Sequence, residues 1–374
     1  MSTTLGILGG GQLAMLMCHS AQELGIDTAV LSADPNAPAR SACTHFVQGS
    51  FGDNASLNRL AELSQVVTLD TEHVPDATLV YLAQRTEVQP GPELMRQLSD
   101  RLTQRAFLRR VGAPQPEFWS IDSRSALEQA QAEAQFPAVL KLRKGGYDGK
   151  GQRKVRCAEE LVEAWDELGQ MPCVMERWII DVQEFSVVGA RGSEGQMRLY
   201  PPIDNVHIAG QLHISRWPAP ISAAARERGE EIWRRIASQW DGRGVIAVEF
   251  FLAPDGQVLV NEIAPRVHNS GHLTSRGANC SQFELHVRAT MELPLPQLDV
   301  RDCGMLNLYP EHGINDPATA QAMQARYGGE IILYGKAPRR ARKMGHWLLD
   351  VADIDAARQI LLDQAQAAPE EFRR

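Results

Sequence analysis

Apolar positions along this chain recur at two periods, and where one gives way to the other the chain divides. In the first hundred residues short apolar runs, Leu5–Leu8, Thr28–Leu31 and Gln65–Leu69, flank a helix-period stretch from about Gln12 to Leu24. Strand-length runs alternating with helical ones predict βαβ units and a parallel sheet covered by helices. Pro90-Gly-Pro92 closes this region. A charged helix is predicted over Arg101–Arg110, and Gly112-Ala-Pro-Gln-Pro116 punctuates the chain again. From there to about Pro294 strands dominate, with runs at 137–142, 172–180 and 184–190 and a hairpin over 245–264. After Leu293-Pro-Leu-Pro296, the runs Met305–Leu308 and Ile331–Tyr334 and an Ala-rich helix from about Ile354 predict a small α+β unit. The fold class is therefore α/β with α+β, without repeats or low-complexity tracts.

The hairpin carries the most informative chemistry. If Asp255-Gly256 forms a two-residue turn, Pro254 faces Gln257, and counting back along the strands sets Glu249 opposite Glu262. Like charges directly opposite one another destabilise a ladder. Such a pair in an apolar hairpin asks for a cation. Two carboxylates without His or Cys suit a hard ion such as magnesium, which keeps other positions for water and substrate phosphates.

Composition narrows the class. A chain of 374 residues exceeds one compact core and fits two or three domains. The net charge of −8 argues against broad binding to nucleic acid or an anionic membrane. The six cysteines form no Cys-x-x-Cys pair, consistent with free thiols in a reducing compartment. No signal peptide and no apolar run of spanning length is visible, so a cytoplasmic protein is expected.

Several motifs bear on function, each with a plainer reading. Gly9-Gly-Gly11-Gln-Leu-Ala14 fits G-x-G-x-x-A with Asp34 downstream, a dinucleotide fingerprint. The same turn could meet a phosphate or amine of a small substrate, or serve only close strand-to-helix packing. Lys141-Leu-Arg-Lys-Gly-Gly-Tyr-Asp-Gly-Lys-Gly-Gln152 is a glycine-dense loop able to turn N–H groups toward phosphates, though its spacing is not that of a P-loop; its plain reading is a hairpin tip. Lys141 lies in an apolar strand and either faces solvent or turns inward toward phosphates. Glu176 and Glu184 are charged strand ends. His268 and His272 have i,i+4 spacing but lack the H-E-x-x-H form of a zinc site. Arg266, His268 and Asn269 read better as an anion pocket. The basic run Arg339–His346 is either a solvated charge run or a phosphate clamp.

Taken in order, the Gly-Gly-Gly-Gln-Leu turn, Asp100-Arg-Leu-Thr-Gln104, Gly145-Gly-Tyr-Asp-Gly-Lys-Gly-Gln152, Asn261-Glu-Ile-Ala-Pro-Arg-Val-His-Asn-Ser-Gly-His272, Ser281-Gln-Phe-Glu-Leu-His286 and Arg342-Lys-Met-Gly-His346 closely resemble the N5-carboxyaminoimidazole ribonucleotide synthetases of the ATP-grasp superfamily. The match spans nearly the whole chain. It implies a Rossmann-like domain over 1–100, an ATP-grasp domain over 101–297 with a mobile lid at about 120–185, and a small domain over 298–374. It also implies an ATP-dependent carbon–nitrogen ligase of purine biosynthesis. Bicarbonate is activated as carboxyphosphate, and the amine of aminoimidazole ribonucleotide takes the carboxyl group. For ATP the resemblance implies Arg101, Lys141, the lid residues Gly146, Tyr147, Asp148, Gly149, Lys150, Gly151 and Gln152, the stretch Glu176, Arg177, Trp178 and Ile179, and Glu184, His207, Asn261 and Glu262. Magnesium, or manganese in its place, falls to Glu249 and Glu262. Arg266, His268, Asn269, Tyr147 and Asp148 would hold the bicarbonate chemistry, and Gln12, Glu72, Asp148, Lys336 and Arg342 the ribonucleotide. A cytoplasmic homodimer with a functional link to the mutase that uses its product is implied as well.

Two departures concern the ribonucleotide site. Where the family has Glu-x-Glu this chain has Asp70-Thr-Glu72, one methylene shorter at the first acid. The family's Arg-Pro-Gly-Arg becomes Arg339-Arg-Ala-Arg342. Rival readings are a sibling ATP-grasp ligase joining formate or another acid to a different ribonucleotide amine, an NAD-dependent oxidoreductase, and a silent nucleotide binder. The carboxylate pair and Lys141 oppose the last, and the glycine lid opposes the oxidoreductase.

Overall fold

In the computed structural model, which describes residues 3–146 and 151–367, the first segment holds β1 (Thr4–Leu8), β2 (Asp27–Ser32), β3 (His45–Gln48), β4 (Val66–Leu69) and β5 (Glu87–Val88). Helices α1 (Gln12–Glu23), α2 (Asn54–Leu63), α3 (Asp76–Ala83) and α4 (Pro92–Leu98) connect them. All neighbours pair in parallel, in the order β3-β2-β1-β4-β5. Every residue of β1 and β4 is buried, as strands covered on both faces require. Strand order reverses between β1 and β4, where a crevice opens beyond the carboxyl ends. Gly9–Gly11 leaves β1 and Asp70–Glu72 leaves β4 at that point. The edge strand β3 lacks an apolar run, with His45 and Gln48 exposed, and the pattern does not announce it.

Helix α5 (Arg101–Arg110) follows, capped by the Asp100 carboxylate, which accepts from the Leu102 N–H. Beyond it a small antiparallel sheet, β6 (Phe118–Ile121), β9 (Cys173–Arg177), β7 (Ala138–Leu142) and β8 (Gln152–Val155) in spatial order, packs against α6 (Arg124–Glu133) and α7 (Ala158–Glu167). It has its own core, built around Ile121, Leu140, Leu161, Trp165 and Met175.

The remaining strands form one large sheet: β10 (Gln183–Arg191), β11 (Met197–Leu199), β12 (Ile203–Ile208), β13 (Gln211–Trp217), β14 (Gly244–Leu252), β15 (Val258–Ala264), β16 (Cys303–Leu308), β17 (Glu330–Leu333) and β18 (Gly345–Leu349). Their order is β15-β14-β10-β12-β13-β16-β18-β17, with β11 on β10. Helices α8 (Ala223–Ser238), α9 (Thr274–Gly277), α10 (Gln282–Thr290), α11 (Pro317–Tyr327) and α12 (Ile354–Ala367) complete the chain. The sequence pattern treats the last segment as a separate unit. It does build a small core, including Leu306, Trp347, Ile354 and Leu361, but the pairing of β13 with β16 makes its strands a continuation of the central sheet. The proline-rich break at 293–296 interrupts the chain and not the sheet.

The 245–264 hairpin forms, with a different turn. Ala253, not Pro254, pairs with Gln257, because the turn is closed by the Gly256 N–H on Ala253 O, with Gly256 at φ +85°. Proline presets the first central position of such a turn, which draws Pro254 into the loop. The outer ladder therefore runs Leu252↔Val258 and Phe250↔Val260, one residue off the expected register. A β-bulge between Glu249 and Phe250 absorbs the extra residue, Asn261, and Glu249 faces Glu262 after all.

Candidate active site

The bulge has a chemical consequence. In a regular strand consecutive side chains point to opposite faces, yet Asn261 and Glu262 both line the same cleft, together with Glu249 across the ladder. This cleft, about 650 Å³, lies between the small sheet and the large one. Around it stand Arg101, Lys141, Gly146, Gln152, Glu176, Arg177, Trp178, Ile179, Glu184, His207, Arg266, His268, Asn269 and Glu72. Most of the nucleotide residues expected from sequence are thus brought together. Tyr147, Asp148, Gly149 and Lys150 lie outside the described residues.

The carboxylate pair is electrostatically crowded. Burial pushes Glu249 up to about 7, with Glu262 and Glu184 adding to the effect against the pull of His207. An ionised Glu249 needs positive charge beside it. The donors are oxygens, and the buried Asn261 Oδ1 has no hydrogen-bond partner among the described residues. Two carboxylates and an amide oxygen fit magnesium or manganese, both of which favour oxygen ligands. His207 lies beside this group, with Nδ1 3.0 Å from Glu184 Oε2, and its pKa is raised: burial alone would lower it, but Glu184 and Glu249 prevail.

Lys141 turns inward. It is buried, with Nζ 2.8 Å from Glu176 Oε2. Burial lowers its pKa and Glu176 opposes this. Burial would raise Glu176, but Arg105 and Lys141 hold it down at about 2. The Glu176 carboxylate is therefore committed to two cations. Arg101, expected at the nucleotide phosphates, here donates to Glu262 Oε2 at 2.8 Å and to Gly146 O at 3.3 Å, tying the start of the glycine loop to the carboxylate pair.

In the same cleft Arg266 donates through Nη2 to Glu72 Oε1 at 3.0 Å and through Nε to the other oxygen, a two-point pair between the large sheet and the first domain. Burial would raise Glu72, but Arg266 holds it near 2. His268 accepts the Ser270 N–H at Nδ1, which leaves its proton on Nε2, 3.6 Å from Glu249 Oε1. Burial, with Arg266 nearby, lowers its pKa to about 3. A neutral imidazole with its N–H toward the cleft is a donor for an anion, not a base. The Asn269 amide is paired with that of Asn307 on β16 at 2.7 and 3.1 Å. His272 lies in the core, against Gln282, Phe283 and His346, and does not reach the cleft.

The glycine turn carries its own anion. The Gly11 N–H donates to Asp70 Oδ2 at 2.6 Å, and a Cβ on Gly9 would lie 1.7 Å from Asp70 Oδ1. The carboxylate thus occupies the place where a pyrophosphate would meet the start of α1, and the dinucleotide reading fails on that contact. Burial lifts Asp70 to about 6, with the Gly11 N–H opposing. Of the pair at 70 and 72, Glu72 reaches the cleft. Gln12 accepts from Lys336 Nζ at 2.5 Å, joining the first and last segments. The Arg342 guanidinium instead donates to Ala337 O, and the basic side chain that this run places in the cleft is Lys343.

Known proteins match along the whole chain. A model described as a ribonucleotide synthetase preATP-grasp domain matches residues 1–98, and one described as an ATP-grasp domain matches 106–283. The N5-carboxyaminoimidazole ribonucleotide synthase of Pseudomonas aeruginosa is 38% identical over 352 residues, covering 93% of this chain and 95% of that protein. That of Bacillus subtilis is 32% identical, covering 91% and 90%. The chain belongs to the N5-carboxyaminoimidazole ribonucleotide synthase family. Solved structures agree: an ADP complex of such a synthetase superposes with a TM-score of 0.91 at 32% identity, covering 98% of each chain. The Aspergillus clavatus enzyme, in complex with ADP and 5-aminoimidazole ribonucleotide, gives 0.89 at 30%, covering 98% and 99%. The fold is accordingly an ATP-grasp domain behind a preATP-grasp domain, whose glycine turn is met by the Asp70 carboxylate.

Sequence reasoning about this synthase-family chain missed three cations and the apolar walls of the cleft. Arg105 sits in a charged helix where nothing marks it as buried. Lys154 on β8 lies 4.1 Å from the Trp178 ring centroid. Lys343 follows Arg342 in a basic run and lines the cleft. Val139, Leu212 and Phe251 line the cleft from three different strands, so no local pattern joins them.

Proposed function

We propose that the chain carboxylates the amine of 5-aminoimidazole ribonucleotide to N5-carboxyaminoimidazole ribonucleotide, consuming ATP and bicarbonate and releasing ADP and phosphate, in purine biosynthesis. The observation that carries this reading is a single cleft in which the Glu249/Glu262 pair, inward Lys141 and the Arg266, His268 and Glu72 group stand together, with His268 Nε2 3.6 Å from Glu249 Oε1. ATP lies between the two sheets, its base against Arg177, Trp178 and Ile179, its ribose at Glu184 and its phosphates toward Lys141 and Arg101. Glu249 and Glu262, with Asn261, would hold magnesium, with manganese an alternative, and the ion would offset charge on the transferring phosphoryl group.

Arg266 and the Nε2–H of His268 hold bicarbonate. Its oxygen displaces ADP at the γ-phosphorus, giving carboxyphosphate. The ribonucleotide amine then forms the new bond to carbon as the carbon–oxygen bond to phosphate breaks, and the departing phosphate takes up the amine's proton. Glu72 orients the aminoimidazole, while Lys336, Arg342 and Gln12 lie toward the ribonucleotide phosphate, and Lys343 adds positive charge near Glu249 and His268. Preorganised donors act where charge develops, which lowers the barrier without reorganisation. Water must be excluded, because carboxyphosphate hydrolyses. The same reading makes the enzyme a cytoplasmic homodimer.

ADP release should require magnesium and aminoimidazole ribonucleotide and rise with added bicarbonate. Equal release with glycinamide ribonucleotide plus formate would assign the chain to the sibling ligases instead. Glu262→Gln should abolish turnover while leaving the melting temperature within a few degrees; full activity at ordinary magnesium would remove Glu262 from the site.

A further inference from the structure

β15 is the edge strand of the large sheet, and side chains of α5 meet its free edge. Gln104 donates to Ile263 O at 3.0 Å and accepts the Ile263 N–H at 3.0 Å, standing in for a neighbouring strand. Arg105, next in the helix, is 2% exposed. Its Nη1 donates to Val260 O at 3.0 Å and its Nη2 to Asn261 O at 2.6 Å, so one guanidinium grips the carbonyls on either side of the step into the bulge. Its Nε donates to Glu176 Oε1 at 2.9 Å, and Glu176 Oε2 takes Lys141 Nζ. β15 belongs to the large sheet, whereas Lys141 and Glu176 belong to the small one. Arg105 is thus bonded both to the bulge that turns Asn261 and Glu262 into the cleft and to the carboxylate that holds Lys141.

We propose that Arg105 is a positioning residue: it holds the β15 bulge in the form that presents Asn261 and Glu262 to the metal, and through Glu176 it fixes Lys141 in register with them. The inference rests on the reading of Glu262 as a metal ligand. The shape of the group matters as much as its charge. A planar guanidinium offers fixed, divergent N–H groups to three acceptors, whereas a lysine ammonium is a compact point charge at the end of a flexible stem. Lysine at 105 would keep a cation for Glu176 and lose the two-carbonyl grip. Side chains that orient metal ligands typically contribute about 10- to 100-fold to metal affinity.

The test is manganese binding to the full chain in the presence of ADP, followed by loss of the free-ion electron paramagnetic resonance signal, alongside magnesium-dependent turnover. Arg105→Lys should weaken manganese binding and raise the half-saturating magnesium concentration by about 10-fold or more, lower kcat, and leave KM for aminoimidazole ribonucleotide within about 2-fold, since Arg105 bonds to Glu176, Val260 and Asn261 and not to the residues proposed to hold that substrate. A role in folding alone would lower the melting temperature while the folded fraction bound manganese normally, and that result overturns the proposal. Should Arg105→Lys fail to fold, the double variant Arg105→Gln with Glu176→Gln replaces the buried ion pair by neutral partners, a change that buried pairs often tolerate; wild-type manganese affinity in it would equally refute the inference. Glu262→Gln is the control. If it leaves manganese binding unchanged, the metal assignment fails; if it weakens binding and neither Arg105 variant does, only the role given to Arg105 fails.

Discussion

Ala341 shows how one substitution becomes a conformational cost. It stands where the family has glycine, and its backbone is at φ +61°, a left-handed conformation that alanine enters at a cost of about 1 kcal/mol. The carbonyl of the same residue accepts from Gln211 Nε2 at 3.1 Å, which pins the loop. Ala341→Gly should therefore stabilise the protein by about 1 kcal/mol in urea unfolding; a loss of stability would show that the loop is not strained there. The departure at Asp70 has a different outcome, since its carboxylate sits beneath the glycine turn and Glu72 alone of the two acids reaches the cleft. Both departures are visible in the sequence. Their effects are not, because the φ of one and the partner of the other depend on loops that meet only in the folded chain.

Among the elements, α10 carries a latch between the first domain and the large sheet. His286 Nδ1 accepts the Val245 N–H at 3.0 Å, so its proton lies on Nε2 and is donated to Thr68 Oγ1 at 2.8 Å. Burial lowers its pKa to about 4. Near neutrality the folded and unfolded chains both carry this histidine uncharged. As pH falls from about 6.5 toward 4, the unfolded chain takes up a proton that the folded one refuses, and stability drops by up to about 1.4 kcal/mol per pH unit. His286→Gln, which can accept from Val245 and donate to Thr68, should make the acid loss of stability shallower by about one proton across that window. Thermal melts at a series of pH values would show it, and an unchanged slope would assign the sensitivity to other buried groups such as His268 and His346, both held near 3. The hairpin teaches a related lesson. Its carboxylate pairing was legible although the turn was not, because a misplaced turn and an unforeseen bulge shift the register in opposite senses.

At the scale of the whole molecule, the cleft is held by ties between distant parts of the chain. Arg266 and Glu72 are 194 residues apart, and Lys336 and Gln12 are 324 apart. Glu72→Gln would leave the buried Arg266 charge without its partner and should cost about 3 kcal/mol in denaturant unfolding. It should also raise KM for aminoimidazole ribonucleotide at least about 10-fold while leaving KM for ATP near its original value, because Glu72 is paired with Arg266 whereas Lys141 is held by Glu176. Matching increases in both constants would mean that the pair holds the domains together and does nothing particular at the substrate.

The residue pattern was enough for the βαβ layout and parallel pairing of the first sheet, for the 245–264 hairpin and for the facing of Glu249 and Glu262. Apolar periodicity records which side of each element faces a core, and short motifs record the groups that must lie close together on one loop. Tertiary structure alone decided that Arg105 grips a bulge, that Asp70 fills the glycine turn, that Lys343 and not Arg342 enters the cleft, and that the last segment extends the central sheet. Each depends on which face of one element meets another across long sequence separations, and a local period carries no information about a partner. The bulge at Asn261 belongs with these: what brings two consecutive side chains into one site is a backbone step held from outside the strand by a helix.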